Sequence, residues 1–248
     1  MKVCIDAGHG VETAGKRSPD GSYFEHEFNF DVAKRIKAHL QRCGVQVVMT
    51  RENEHDVSLS ERCKICNDAG CVYFFSVHTN AAGNDGWYDA EGWSAHIIAK
   101  GGKAEQMAAK IRSYAIVQLG CKDRGINVDN YQVLRDTKCP AVLVEHGFHT
   151  SRTEVARLKT PEYRARCAES DARGICAQLG VVWKPEPPVV TPQPPVVTPT
   201  PPVVTPEPPA VTPTPPVVTY DTVSVRRVIE GEFWLSAADL SLETPKKG

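Results

Sequence analysis

The sequence has no apolar run long enough to cross a membrane and no marked excess of charge. A membrane-spanning helix needs about 18 or more consecutive apolar residues, and no such run occurs among the 248 residues. The 29 basic and 30 acidic side chains nearly cancel, to a formal net charge of −1. Because nucleic-acid binding depends on a basic face that neutralises phosphates, this balance removes the electrostatic reason to expect a nucleic-acid partner.

A secretory leader is also missing from the N-terminus. Met1 and Lys2 run directly into a β-branched segment, without the apolar core and small-residue cleavage site of a signal peptide. We therefore expect the chain to be made in the cytoplasm. The nine cysteines do not change this expectation, because an odd number without a leader argues against a disulfide framework. Most of them lie in apolar or helical stretches and are interpreted as small buried hydrophobes.

One group of cysteines is closely spaced. Cys63 and Cys66 are separated by two residues, and Cys71 follows shortly afterwards. This spacing suggests a structural metal site, but a closed zinc site needs four ligands and no fourth lies nearby in the sequence. Cys66 falls on the apolar face of a predicted helix, so core packing is the favoured interpretation.

Residues 1 to about 180 alternate β-rich runs with helical patterns, which predicts an α/β domain. The helix that follows Glu25 illustrates the pattern, since Phe28, Val32, Ile36 and Leu40 recur every four positions. We expect a twisted, mostly parallel or mixed sheet flanked by helices. The predicted strands are 1–5, 45–50, 72–77 and 140–145, and the predicted helices are 28–43, 59–69, 102–118 and 161–179.

Composition divides the chain after this domain, which is predicted to cover residues 1–182. Residues 183–219 are the predicted linker, in which the seven-residue pattern Pro-Pro-Val-Val-Thr-Pro-X repeats between Pro185 and Thr219, with Ala at position 210. This pattern favours an extended polyproline II spacer over a ligand for proline-recognising domains. Residues 220–248 are too few to bury a core unaided, although 222–228 and 233–235 have strand-like patterns. Two interpretations of this segment remain open: a small anchoring module that self-associates, and a disordered or truncated tail.

Polar residues stand at the ends of three predicted strands, where packing does not explain them. His9 lies between two glycines, His78 directly follows an apolar run, and Glu145 ends another. Because ligands of open α/β sheets bind beyond the carboxyl ends of the strands, we expect these side chains to converge there. Glu25, shortly before a predicted helix, could swing inward to join them.

Two histidines and a carboxylate around an open position are the ligands of a catalytic zinc ion. Such an ion lowers the pKa of bound water to about 7, and a second carboxylate can then carry the proton to a leaving group. The sequence supplies both histidines and both carboxylates. Spacing alone leaves the packing alternative open, because a histidine after an apolar run is more often a core or loop residue. The local pattern His-Glu-x-x-His is also missing.

Eight motifs carry a resemblance to a known family. They are, in chain order, Ile5-Asp6-Ala7-Gly8-His9-Gly10, Glu25-His26-Glu27-Phe28-Asn29, Thr50-Arg51, Leu59-Ser60-Glu61-Arg62, Ser76-Val77-His78-Thr79-Asn80, Arg124-Gly125-Ile126, Val133-Leu134-Arg135 and Pro140-Ala141-Val142-Leu143-Val144-Glu145-His146-Gly147-Phe148. Together they resemble, in the same order, the motifs of the zinc N-acetylmuramoyl-L-alanine amidases of the amidase 3 family. They span about residues 1 to 180, the whole predicted α/β domain.

The resemblance implies a role for each matching residue. His9, Glu25 and His78 would bind one zinc ion, Glu145 would act as general base and then general acid, and Asn80 would help to hold substrate. Glycines beside His9 would permit a positive φ and close backbone approach.

Several other positions are left with two interpretations. Arg51 and Arg62 are as well explained by structural ion pairs as by substrate contacts. Asp6 could hydrogen-bond a zinc ligand or simply a strand end. His146 and His149 stand where the family more often has apolar or small residues, and either could tune the pocket.

The function that the resemblance implies is cleavage of the amide bond between N-acetylmuramic acid and L-alanine in peptidoglycan. One alternative is a zinc carboxypeptidase-like hydrolase, which would need a basic residue to grip a free carboxylate. Another is a non-catalytic wall-binding protein, which the loss of a ligand or of Glu145 would have favoured. With no leader, the expected role is a phage or prophage endolysin, or an autolysin freed when a sporulating mother cell lyses.

Overall fold

The computed structural model describes residues 1–83 and 86–186. Helices and strands alternate along these residues, as the sequence patterns predict. The elements are β1 (Lys2–Ala7), α1 (Glu25–Arg42), β2 (Gln46–Met49), α2 (Leu59–Asp68), β3 (Tyr73–Asn80), β4 (Trp93–Ile97), α3 (Lys103–Leu119), β5 (Asp123–Val128), α4 (Gln132–Arg135), β6 (Ala141–Phe148), α5 (Arg152–Leu158) and α6 (Pro161–Leu179).

The six strands form one mixed sheet in the order β2-β1-β3-β6-β4-β5. Strands β2, β1, β3 and β6 pair in parallel, β4 runs antiparallel to β6, and β5 is parallel to β4. The predicted α/β fold with a mixed sheet flanked by helices is therefore confirmed. The carboxyl ends of β1, β3 and β6 lie side by side, which brings the residues that follow or end these strands to one edge.

Two hydrophobic cores of unequal size cover the two faces of the sheet. Side chains alternate along a strand, so Val3, Ile5 and Ala7 belong to a large core with α1, α3 and α6. Cys4 belongs instead to a small core, which α2 and α4 close. The predicted amphipathic helix builds the first of these, because Phe28, Val32, Ile36 and Leu40 of α1 are fully buried in it. The members of the small core are Cys4, Cys63, Cys66, Cys71, Phe74, Val133, Leu134, Ala141 and Leu143.

Three element boundaries differ from the predicted ones at the edge of the sheet where β1, β3 and β6 end. Strands β3 and β6 continue past His78 and Glu145, to Asn80 and Phe148. Helix α1 begins at Glu25 rather than near Phe28. These residues are thus fixed by regular backbone and not by loops. Strands β4 and β5 were not predicted, because their short sequences mix polar with apolar residues.

The compact structure extends past the domain boundary predicted at residue 182. The Trp183 ring lies 5.4 Å from the His39 ring, between the guanidinium groups of Arg42 and Arg173, at 5.9 and 5.2 Å. Arg42 Nε also donates a hydrogen bond of 3.0 Å to the Lys184 carbonyl. The first residues assigned to the spacer therefore belong to the α/β domain. The rest of the spacer and the segment 220–248, with its two strand predictions, lie outside the described residues.

None of the helices in residues 1–83 and 86–186 combines the length and the apolar character needed to cross a bilayer.

We predict that Trp183 contributes measurably to the stability of the domain. Truncation in Trp183→Ala removes a partly buried ring worth about 1–2 kcal/mol, which lowers the melting temperature by about 2–8 °C for a domain of this size. The matched control is Val182→Ala, since Val182 is 80% exposed and its loss should change the melting temperature by only about 1–2 °C. Equal shifts in thermal unfolding of the two full-length variants would show that the domain ends at residue 182.

Candidate active site

The loop after β1 presents His9 to the carboxyl edge of the sheet. A Cβ atom on Gly8 would collide with the His78 ring, and one on Gly10 with the backbone of Asp56. The expected close approach is therefore present at both glycines. The positive φ that the sequence predicts at these glycines occurs instead at His9, with φ 57°. The left-handed conformation costs a residue with a Cβ atom roughly 1–2 kcal/mol. Strained conformations of this kind are most common at functional sites.

Two buried arginines hold this loop in place. Arg62 Nη1 donates to Asp6 Oδ1 and to the Ala7 carbonyl, both at 2.6 Å, and its Nη2 donates to the His9 carbonyl at 3.2 Å. Arg51 Nε donates to the Ala7 carbonyl at 2.9 Å. The structural ion pairs expected from the sequence are present for Arg62, with Asp6 and Asp56. Arg51 instead donates to the backbone carbonyls of Ala7, Asn53 and His26.

Asp6 acts at the strand end rather than on a proposed ligand. Its carboxylate accepts hydrogen bonds from Thr50, Ser76 and Arg62. The guanidinium of Arg62, together with these hydroxyl groups, lowers the Asp6 pKa although burial opposes ionisation. The influence of Asp6 on His9 is therefore indirect and passes through Arg62.

The parallel pairing of β3 with β6 places His78 beside Glu145. The two residues are direct partners in the register, and the register shifts between His78 and Asn80. Such irregularities re-aim side chains next to active sites. Asn80 follows on the same strand and lines the cleft, where its Oδ1 accepts a hydrogen bond of 2.7 Å from the Ala81 amide. Its contact with substrate stays a prediction.

Glu25, the first residue of α1, connects both histidines. Its Oε1 accepts hydrogen bonds from His78 Nδ1 at 2.9 Å and from the Thr79 amide at 3.0 Å. Its Oε2 lies 3.5 Å from His9 Nε2. Asn29, one helical turn further on, holds the loop by donating to the Gly8 carbonyl at 3.0 Å. Glu25 is only 1% exposed, so its carboxylate is fixed deep in the cleft.

These three side chains have the composition and the spacing of a metal site. One ligand atom from each of His9, Glu25 and His78 lies within 4.8 Å of the others. Within the described part of the chain, Glu25 Oε2 is buried without a hydrogen-bond partner, which is costly for an oxygen that binds nothing. A cation would satisfy this atom, and two imidazoles with one carboxylate are a catalytic zinc set. The residues therefore fit zinc.

The protonation of two of these groups suits metal binding. Hydrogen bonding from His78 holds the Glu25 pKa well below its usual range, against the effect of burial. Burial lowers the pKa of His9 to about 4. A carboxylate and a neutral imidazole are the forms that bind a metal. For His78, burial lowers the pKa, but the hydrogen bond and the charge of Glu25 outweigh it and raise the pKa.

Glu145 lies beside His78 in the strand register but is not one of the three residues whose ligand atoms cluster within 4.8 Å. Its Oε2 is buried and has no hydrogen-bond partner among the residues that the structure describes. Burial raises the pKa of Glu145 to about 8, with His78 opposing the shift and Glu25 adding to it. A carboxyl group that exchanges its proton near neutral pH is suited to general acid–base work.

The four residues open into a cleft of about 640 Å³. Its lining contains two cationic side chains, Lys16 and Arg62, and the latter is engaged by Asp6 and Asp56. His149 also lines the cleft, with Nδ1 3.7 Å from Glu25 Oε2.

The two histidines that depart from the family pattern thus lie in different places. His149 belongs to the cleft, whereas His146 is fully buried away from it, with Nε2 3.0 Å from Asp171 Oδ2.

Sequence reasoning missed the residues that support the site. Asn29 had a usable signal, because residues four apart on a helix share a face and Glu25 lies four positions earlier. For Ser94, the partner of Glu145 on β4, the sequence contains no such signal. Its hydroxyl lies 3.1 Å from His96 Nε2, and β4 itself was not predicted.

Known proteins share both the sequence and the fold of this region. A family model described as N-acetylmuramoyl-L-alanine amidase matches residues 3–177. The chain is 30% identical over 174 residues to the amidase LytC of Bacillus subtilis, covering 68% of this chain but only 33% of LytC. It is 30% identical over 181 residues to an endolysin of Bacillus phage SPP1, covering 72% of this chain and 66% of the endolysin.

A solved structure extends the likeness to the whole described domain. The catalytic domain of the amidase CwlV, from Bacillus (Paenibacillus) polymyxa, superposes with a TM-score of 0.68 at 29% identity. The match covers 73% of this chain and 99% of that domain.

We predict that the two carboxylates differ in their effect on zinc affinity. Glu25→Gln removes a proposed ligand, so zinc affinity should fall by more than the roughly 10–100-fold typical of losing an outer hydrogen-bond partner. Glu145→Gln keeps the shape of the cleft and should leave zinc affinity unchanged. Competition titration with a chromophoric chelator, run on both variants and the unaltered chain, measures the difference. Zinc loss in Glu145→Gln with retention in Glu25→Gln would reverse the two roles.

Proposed function

Because the chain belongs to the N-acetylmuramoyl-L-alanine amidase family, we propose that it is a zinc-dependent hydrolase of peptidoglycan. It cuts the amide bond between N-acetylmuramic acid and the L-alanine of the stem peptide. The observation that carries this proposal is the convergence of His9, Glu25 and His78 within 4.8 Å, with Glu145 beside His78 in the strand register. Two histidines and two carboxylates with separate environments are what metal-assisted amide hydrolysis requires.

Each of the four residues has a defined task in this proposal. His9, Glu25 and His78 would hold zinc, which would supply Lewis acidity toward the scissile carbonyl and the attacking water. Glu145 would accept a proton from the water and donate it to the departing amine. Its unpartnered Oε2 is the atom available for this transfer. Asn80, at the cleft wall, helps to orient the substrate.

The rest of the chain adds to the proposal without being needed for the chemistry. Residues 220–248 lie outside the described structure, and we propose that they anchor the enzyme to the wall and self-associate. Action on the wall after release from a lysing cell, as a phage endolysin or a mother-cell autolysin, completes the proposed role.

We predict that the protein releases new L-alanine amino termini from purified sacculi without creating new reducing sugar ends. Glu145→Gln should lower kcat by roughly 10²–10⁴-fold, the usual contribution of a positioned acid–base group. The measurement is amino-terminal labelling of the digest, with a reducing-sugar assay on the same sample.

Two outcomes would contradict the proposal. Release of single amino acids without new L-alanine termini would favour the carboxypeptidase-like alternative, with Lys16 as the exposed cation of the cleft. Wall binding without any cleavage would favour a non-catalytic wall-binding protein.

A further inference from the structure

Four cysteine thiols meet on the face of the sheet that carries the small core. Cys4 lies on β1, Cys66 near the end of α2, Cys71 between α2 and β3, and Cys139 just before β6. The sulfur atoms of Cys4, Cys66 and Cys71 all lie within 4.8 Å of one another. The sulfur of Cys139 lies 3.6 Å from that of Cys66. The fold thus brings two thiols that are distant in sequence, Cys4 and Cys139, to Cys66 and Cys71. Cys63 does not join them, because its sulfur faces the Gln132 carbonyl.

The spacing of these thiols suits a tetrahedral metal. Zinc–sulfur bonds of about 2.3 Å in a tetrahedron put the sulfur atoms about 3.8 Å apart. The distance from Cys66 to Cys139 is close to this value, and the sulfur atoms of Cys4 and Cys71 lie within 4.8 Å of that of Cys66. We propose that Cys4, Cys66, Cys71 and Cys139 form a closed structural site for zinc or a similar thiophilic divalent cation. This proposal does not depend on the proposed function.

The thiols lie in a largely buried pocket. Cys4 and Cys66 are 0% and 1% exposed, and Cys71 is 9% exposed. Metals bind thiolates rather than thiols. Cys139 is only partly buried, which leaves a path for the ion to enter.

The proposed ion would link α2, β1 and the segment before β6, which pack together through the small core. Only nine buried residues form that core, and four of them are cysteines. A tetrathiolate site would tie α2 to β1 and to the segment that leads into β6. Helix α2 also carries Arg62, whose guanidinium holds the His9 carbonyl. The ion would therefore stabilise the support of the His9 loop without touching substrate.

Cobalt substitution tests the site without altering the chain. Full-length protein from cells grown on cobalt, purified under reducing conditions, should show intense thiolate-to-cobalt charge-transfer absorption in the near ultraviolet. It should also show the visible bands of tetrahedral cobalt. His9→Ala and His78→Ala should leave the charge-transfer absorption intact, because the proposed catalytic ligands include no sulfur. A cobalt spectrum without thiolate charge transfer would overturn the proposal, whatever the fate of the amidase activity.

Variants then assign the ligands. The unaltered chain should hold about two zinc ions, one in each site, and Cys139→Ser about one. Cys63→Ser is the matched control, since Cys63 lies one turn before Cys66 on α2 but its sulfur faces the Gln132 carbonyl at 3.9 Å. It should keep both ions. Equal zinc content in Cys139→Ser and the unaltered chain would overturn the proposal, as would a disulfide between Cys66 and Cys139 found by mass spectrometry in the freshly purified protein.

Discussion

Parallel pairing of β3 with both β1 and β6 is the constraint on which the site depends. It places the carboxyl ends of three strands at one edge, so that the residue after β1 and residues on β3 and β6 share a small space. His78 and Glu145 are direct partners in this register. A slip of one residue would turn one of them to the opposite face of the sheet. The large core fixes the register, because Val77 and Val144 are fully buried in it.

The ion pair between Arg62 and Asp6 completes the site on the opposite side of the sheet from the large core. Both side chains are almost fully buried, which carries a desolvation penalty that good hydrogen bonding must offset. The guanidinium group of Arg62 donates hydrogen bonds to two carboxylates and three carbonyl groups. Arg62 donates to the carbonyl of His9, which has a left-handed conformation. Removing Arg62 would therefore take away this support of the loop and leave the Asp6 carboxylate buried without its cation. Helix α2 therefore connects the candidate cleft with the small core, because it carries both Arg62 and Cys66.

The sequence predicted the parts of the site that follow apolar runs. His9, His78 and Glu145 could be recognised because each polar residue stood at the end of a buried strand. Glu25 was harder, since its contribution depends on where α1 begins, and the resemblance to a family carried its assignment. Features that depend on long-range pairing could not be predicted. The approach of Cys139 to Cys66 requires β6 beside β3, and the positive φ of His9 arises from contacts that its neighbouring glycines allow.

The most direct test of this account is the anomalous diffraction of zinc in crystals of the protein, collected on both sides of the zinc absorption edge. The account predicts a peak between His9, Glu25 and His78, with the carboxylate of Glu145 facing it but outside bonding distance. Zinc bound through Glu145 in place of Glu25, or no peak among these residues in active protein, would contradict it.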